Sequence, residues 1–279
     1  MNPENTHIVI RKRNVGEILN LAYLLIVRYF SPMLWAGILM VPFCLLPWGI
    51  YYAASVMWPE GLSMLYEEFG TEDMLFLYAV GVFIFAFFLE SLVTAPLTLL
   101  MGQIVFGGEA DWRKIRREYL ESLPQLLYYT VLWRITTFRW AFCSEIILLE
   151  RNAWGGSAKA GKRTTTQRCK DIYWRDYESI YRFFAAFTWM FLVGVSTFFG
   201  VMTLRWIIVG SWDDAEIPAV MGLFYLPWIL CAAEFYYCVV RFLGYLDFRI
   251  RSEGWDVDLQ IREECARMDR GRVTEEEEW

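Results

Sequence analysis

Of the 279 residues, 57% are hydrophobic and 18% aromatic against 21% charged, which is more apolar surface than a soluble chain of this length can hide. The net charge of −6 averages acidic loops and an acidic tail with a basic middle, so the sum says little about partners. His7 is the single histidine, which excludes bis-histidine haem ligation, histidine zinc sites and a Ser-His-Asp triad within a membrane body.

The first segment, residues 1–13, is polar and carries Arg11, Lys12 and Arg13. It leads into no small-residue cleavage site, so the amino terminus is expected in the cytoplasm. Residues 14–108 form the first unit. Asn14 and Glu17 open an amphipathic helix that Ser31-Pro32 should stop, lying at the membrane surface or dipping into it. The apolar run Met33 to Trp58 is long enough, at about 1.5 Å per residue, to cross a hydrocarbon core of about 30 Å. An acidic loop free of Lys and Arg, residues 59–73, follows on the outer side. Met74 to Phe106 returns, with a break expected at Pro96.

Residues 109–182 are a basic cytoplasmic or interfacial region, opened by Arg113, Lys114, Arg116 and Arg117. Within it, Leu123 to Glu150 has the length of a crossing but carries Arg134, Arg139 and Glu145. A crossing there would also put the basic residues that follow on the outer side, against the positive-inside rule. The segment is therefore read as interfacial or re-entrant, starting at a capping box of Ser122 with Pro124 and Gln125. Glu145 and Glu150 could act as paired carboxylates, although helix-end charges at the membrane surface are the more ordinary reading. Gly156 to Lys162 has most of a phosphate-binding loop pattern, but Arg163 stands where a Ser or Thr must hold Mg²⁺. The basic middle follows from positive-inside retention and attraction to anionic lipids without a nucleic-acid partner.

Residues 183–244 form a second hairpin, Phe183 to Val209 and Pro218 to Gly244, around an acidic outer loop at 210–217. Trp48, Trp58, Trp206 and Trp212 fit the two membrane boundaries. Residues 245–279 are a cytoplasmic juxtamembrane segment and acidic tail, with Gly254 ending the last helix and residues 255–261 extended. The six cysteines contain no CxxC pair and fall in apolar or cytoplasmic stretches, so neither structural disulfides nor a bound metal or cofactor is expected. The whole reads as an all-α integral membrane protein: four transmembrane helices in two hairpins plus amphipathic interfacial or re-entrant helices. It is placed in the cytoplasmic (inner) membrane with both termini inside.

The two units suggest a parallel internal duplication about an axis along the membrane normal. Glu90 and Glu234 each fall at the same depth in the second helix of their hairpin. Ionisable groups there either find a buried cation or mark a pathway or binding site. Arg134, Arg139, Arg205 and Arg241 are the cations at hand, though Arg205 and Arg241 could instead snorkel toward the surfaces.

Two stretches carry a resemblance. SEIILLERNAWGGSAKAGKRTT at 144–165, with its Leu149-Glu150-Arg151 turn, and RFLGYLDFRIRSEGWDVDLQIR at 241–262 are similar to bacterial multi-pass proteins related to the membrane domain of glycerophosphodiester phosphodiesterases. Such proteins are often encoded beside MoxR-type ATPases and von Willebrand A-like proteins. These 279 residues hold no soluble phosphodiesterase barrel, so the resemblance implies a membrane module without that activity and a partner linked to a MoxR-type ATPase. The expected function is a non-enzymatic membrane component that anchors or assembles cytoplasmic or membrane partners. Its docking surface would be residues 109–182 and 245–265, with Lys159, Lys162, Arg163, Arg249 and Arg251 as cations. The alternative is a transporter or lipid-handling protein that uses Glu90 and Glu234 within a bundle, with a homo-oligomer such as a dimer as its working form. An enzyme acting on lipid phosphates would need Glu145, Glu150 and nearby arginines to converge on one pocket.

Overall fold

The computed structural model describes residues 13–107, 110–133, 142–152, 164–175, 196, 200, 203 and 216–254. Among them the chain is helical almost throughout and contains no strand. Two helical stretches, Val80–Phe106 and Pro227–Arg251, are long and apolar enough to cross a membrane. A third candidate is a bent pair of helices near the amino terminus.

That pair is α1 (Val15–Arg28) and α2 (Phe30–Ile38), which meet at 91°. Asn14 starts α1 from extended backbone, as its position before an apolar-periodic stretch suggests. The turn falls at Tyr29, slightly earlier than expected, and Ser31-Pro32 lies in the first turn of α2. Pro32 has no N–H to give the Arg28 carbonyl, so α1 cannot run on, yet its fixed φ suits a helix start. The expected single crossing from Met33 to Trp58 is broken at Leu39–Met40, after which α3 (Val41–Met57) continues. Pro42 explains the break in the same way, since it sits in the first turn of α3.

α4 (Pro59–Gly107) corrects two expectations. The acidic stretch at 59–73 is helical and continuous with the returning span. Pro59 at the first position and Glu60 in the first turn make it a favourable helix start. Nor does Pro96 break the helix. It forfeits one hydrogen bond, but Ala95, Leu97 and Thr98 around it are at most 1% exposed, and that packing holds the axis.

α5 (Trp112–Leu126) begins earlier than the capping box at Ser122 implied. Asp111 is the cap, its carboxylate accepting from the Arg113 and Lys114 amides at 3.0 and 3.3 Å, and the helix passes through Ser122 and Pro124. A wider turn of π-helix, π1 (Leu127–Leu132), follows directly. The chain resumes with the single turn α6 (Cys143–Glu145) and π2 (Ile146–Glu150). Gln125 Nε2 donates to the Asn152 carbonyl at 3.3 Å and to Thr165 Oγ1 at 2.6 Å. The two ends of Leu123–Glu150 therefore lie side by side, and the segment comes back to where it left. α7 (Thr165–Arg175) starts there.

α8 (Glu216–Glu253) continues past Gly244, where the crossing was expected to end, and stops as expected at Gly254, which takes a positive φ of 61°, a conformation glycine adopts without a Cβ clash. α8 and α4 are parallel. Thr94 meets Cys238 across a separation of 144 residues, the offset that also separates Glu90 from Glu234, and both carboxylates line one cleft. Around this pair, α1 sets Leu19 against Tyr236, whose hydroxyl donates to the Leu19 carbonyl at 3.1 Å. Outward faces of α1 to α3 are apolar: Leu24, Trp35, Ile50 and Val56 are all exposed, the inversion a lipid environment permits. Trp48 and Trp58 are exposed as well; Trp206 and Trp212, residues 183–209 apart from 196, 200 and 203, and the loop at 210–215 lie outside the described residues.

Candidate functional site

Along α8, residues 234, 238, 241, 245 and 249 recur at helical spacing and form one stripe. On α4, Glu90, Thr94 and Thr98 do the same. The stripes face each other, and the returning segment 142–150 closes them on the third side. Its approach depends on Gly102, where a Cβ would stand 3.0 Å from the Leu149 side chain.

The inner layer is built on Arg241, whose side chain is 3% exposed. Its guanidinium donates to Glu90 and, at 2.6 Å, to Glu145 Oε1. It also reaches Thr94 Oγ1 at 3.4 Å and lies 5.7 Å from the centre of the Tyr237 ring. Ser144 Oγ donates to the other oxygen of Glu145 at 2.9 Å. One cation thus ties α8, α4 and the returning segment together. Removing both ions from water is expensive, and only such close multiple contacts offset the cost. Arg241 therefore does not snorkel. Glu145 is 0% exposed, which overturns its reading as a helix-end charge at the surface: the turn that bears it faces α8 and brings it to the guanidinium.

The outer layer, about one helical turn further on, is centred on Glu150. Arg168 grips it with two donors, Nε at 2.8 Å and an Nη at 2.9 Å. Tyr245 donates at 2.6 Å and Asn152 at 2.9 Å, while an Arg249 nitrogen lies 3.8 Å away. Burial raises the carboxyl's pKa, but these hydrogen bonds and the Arg168 charge outweigh it and hold it below the usual carboxylate range. Glu150 is thus no solvated helix end either. Arg151 then leaves the π-helix in the left-handed region, φ 51°, and pairs with Glu118 on α5. A third cluster closes the same end of the bundle: Arg251 Nε donates to Asp247 at 2.7 Å, the Arg13 amide donates to Asp247 at 2.8 Å, and Arg251 also reaches the Arg13 carbonyl.

Of the residues singled out in the sequence, Glu90 is joined to Arg241, and Glu234 lies level with it. Arg249 and Arg251 turn toward Glu150 and Asp247. Arg134, Arg139, Arg205, Lys159, Lys162, Arg163 and the loop Gly156 to Lys162 lie outside the described residues. Arg168, Tyr237 and Thr94 were not foreseen, and Tyr245 and Asp247 stood out only as members of the stretch 241–262. Helical spacing from Glu90 and Arg241 would have pointed to Thr94, Tyr237 and Tyr245; Arg168 carries no such signal. Glu145 and Glu150 do not converge on one pocket, since each is taken by a different arginine. Among the described residues, no group of three His, Cys, Asp or Glu side chains gathers as a metal site would require. Compared with models of protein families, with curated proteins and with solved structures, the chain matches none.

Proposed function

We propose that the chain is a multi-pass component of the cytoplasmic (inner) membrane that anchors or assembles partner proteins at the cytoplasmic face without catalysing a reaction. The observation that carries this reading is the use made of the buried charge. Glu90, Glu145, Glu150, Glu118 and Asp247 are each bound to an arginine, so these groups lock a returning segment against two spans. A rigid platform results. Its outward side at that end includes α5, which exposes Arg113, Lys114, Arg116 and Arg117 while burying Ile115, Glu118 and Leu126, a distribution suited to anionic headgroups or an acidic partner.

Four crossings in two hairpins, with both termini inside, complete the proposal. The clustering of Arg13, Asp247 and Arg251 at one end supports common sidedness for the two chain ends. The resemblance at 144–165 and 241–262 makes a partner linked to a MoxR-type ATPase the first to test. Charge reversal of Lys159, Lys162 and Arg163 together should reduce recovery of soluble partners from membranes in mild detergent, and should weaken headgroup contacts by about 1 kcal/mol per basic residue. Cysteines placed near Glu67 and Asp214 should label from outside in intact cells, and those near Lys162 and Arg251 should not. Unchanged recovery removes the basic region as the docking surface; outside labelling near Lys162 removes the topology.

A further inference from the structure

α5 begins where the span in α4 ends. The Asp111 amide donates to Gln103 Oε1 at 2.9 Å, which fixes the start of α5 beside the last turn of the span Val80–Phe106. That start therefore lies at a membrane boundary. From there the outward side of the helix changes character along its length. Arg113, Arg116 and Arg117 are exposed in its first two turns, and Leu120, Pro124 and Leu127 follow on the same side at helical spacing, exposed as well. Ile115, Glu118 and Leu126 occupy the opposite, buried side. At the far end of π1, Leu132 and Trp133 are also exposed.

This order, charge at the boundary and hydrocarbon beyond it, narrows the occupant. Arg117 shares Glu121 at 3.9 Å, whereas Arg113, Lys114 and Arg116 have no ion pair among the described residues. Guanidinium forks suit a phosphate, which takes two parallel hydrogen bonds from each. From Arg117 to Leu127 is about 15 Å at 1.5 Å per residue, about half of a hydrocarbon core of about 30 Å. An acidic soluble protein would answer the arginines and leave Leu120, 58% exposed, and Leu132, 76% exposed, without an apolar neighbour. One molecule of the bilayer answers both ends at once.

We infer that the outward side of α5 binds an anionic phospholipid, its phosphate held by Arg113 and Arg116 and an acyl chain lying along Leu120 and Leu127. A zwitterionic lipid offers the same phosphate, but its own cation meets the arginines as a like charge, so the site selects for a net negative head. The inference rests on the membrane reading proposed above and names what covers the α5 part of that surface; it needs no protein partner.

The full chain carrying the photo-crosslinker p-benzoylphenylalanine at one position is placed in nanodiscs of phosphatidylcholine and phosphatidylglycerol in equal amounts, irradiated, and its lipid adducts weighed by mass spectrometry. With the crosslinker in place of Leu127, phosphatidylglycerol adducts should exceed phosphatidylcholine adducts at least about tenfold, since each basic residue near the surface favours an anionic head about fivefold. In place of Val56, which is exposed on α3, the two adducts should be about equal. Arg113→Gln with Arg116→Gln should bring the Leu127 ratio to within about threefold of the Val56 ratio, and Lys114→Gln, on the flank of the helix, should lower it less. The arginines are exposed, so the double variant keeps its fold; should the crosslinker at 127 disturb π1, Leu120 is the second position and carries the same expectation. Equal ratios at Leu127 and Val56 overturn the inference alone, as does an undiminished ratio in the double variant. A protein conjugate at Leu127 in place of lipid, when cell membranes are irradiated, overturns it in favour of an acidic partner. Lipid adducts at neither position overturn the membrane reading together with it.

Discussion

Arg241→Met removes the one cation shared by Glu90 and Glu145 while keeping a long apolar side chain in its place. The carboxylates left behind are 6% and 0% exposed, so water cannot replace the guanidinium without opening the bundle. Breaking a buried pair from one side costs about 3–5 kcal/mol. Loss of the ring contact with Tyr237 adds about 0.5–2 kcal/mol. For a chain of this size about 1 kcal/mol moves the melting temperature by roughly 2–4 °C, so a drop of about 10 °C or more is expected in detergent micelles. Glu90→Gln alone should cost less, because Glu145 and Thr94 still hold the guanidinium. The triple variant Glu90→Gln, Glu145→Gln, Arg241→Met should recover most of the loss, since replacing a whole buried ionic group is often neutral or stabilising. Melting of Arg241→Met within about 2 °C of the parent, less than about 1 kcal/mol on that scale, would refute the assignment of Arg241 as the tie between α4, α8 and the returning segment. So would a triple variant less stable than the single one.

Three further outcomes can be read by melting in mild detergent. Gly102→Leu should destabilise by about 1–3 kcal/mol, because its side chain meets Leu149, whereas Gly81→Leu, where a Cβ meets nothing within 4 Å, should change little. Glu150 has a folded pKa below its ordinary value, so its stabilisation is present above the unfolded value of about 4.3 and lost as pH falls through the folded one; Glu150→Gln should flatten that acid limb. Arg151→Ala keeps the left-handed backbone, at about 1–2 kcal/mol, and loses the pair with Glu118; Arg151→Gly sheds the backbone cost and should be the more stable of the two.

How far the fold was legible depends on the range of the interaction that decides each element. α1 begins at Asn14 and α8 ends at Gly254 as read, because caps are local. The return of Leu123–Glu150 was legible from charge: a crossing there put Arg134 and Arg139 in lipid. Glu90 and Glu234 share a level because depth can be counted along a helix. The acidic stretch at 59–73 misled because polarity was taken for a loop, although nothing in it after Pro59 prevents a helix. The break at Leu39–Met40 was missed because hydropathy is blind to a proline that interrupts the ladder without lowering the apolar sum.

The polar site was half legible for a different reason. Hydropathy prices each charge alone, and Glu145 alone belongs at the surface. Its partner Arg241 is 96 residues away, outside any local window, and only the pair makes either position affordable. The same holds for the two stretches that first stood out, Leu149 to Arg151 and Tyr245 to Gly254. The Tyr245 hydroxyl and the Arg249 guanidinium both reach Glu150, across 95 residues in the first case. Asp247 and Arg251 hold Arg13, and Arg151 turns out of the helix to meet Glu118. Each residue type follows from that joint: a carboxylate at 150 accepts from a forked guanidinium and a phenol together, which an amide would do only weakly. The two stretches are thus the two halves of one latch, and the residues within each make physical sense only in the presence of the other.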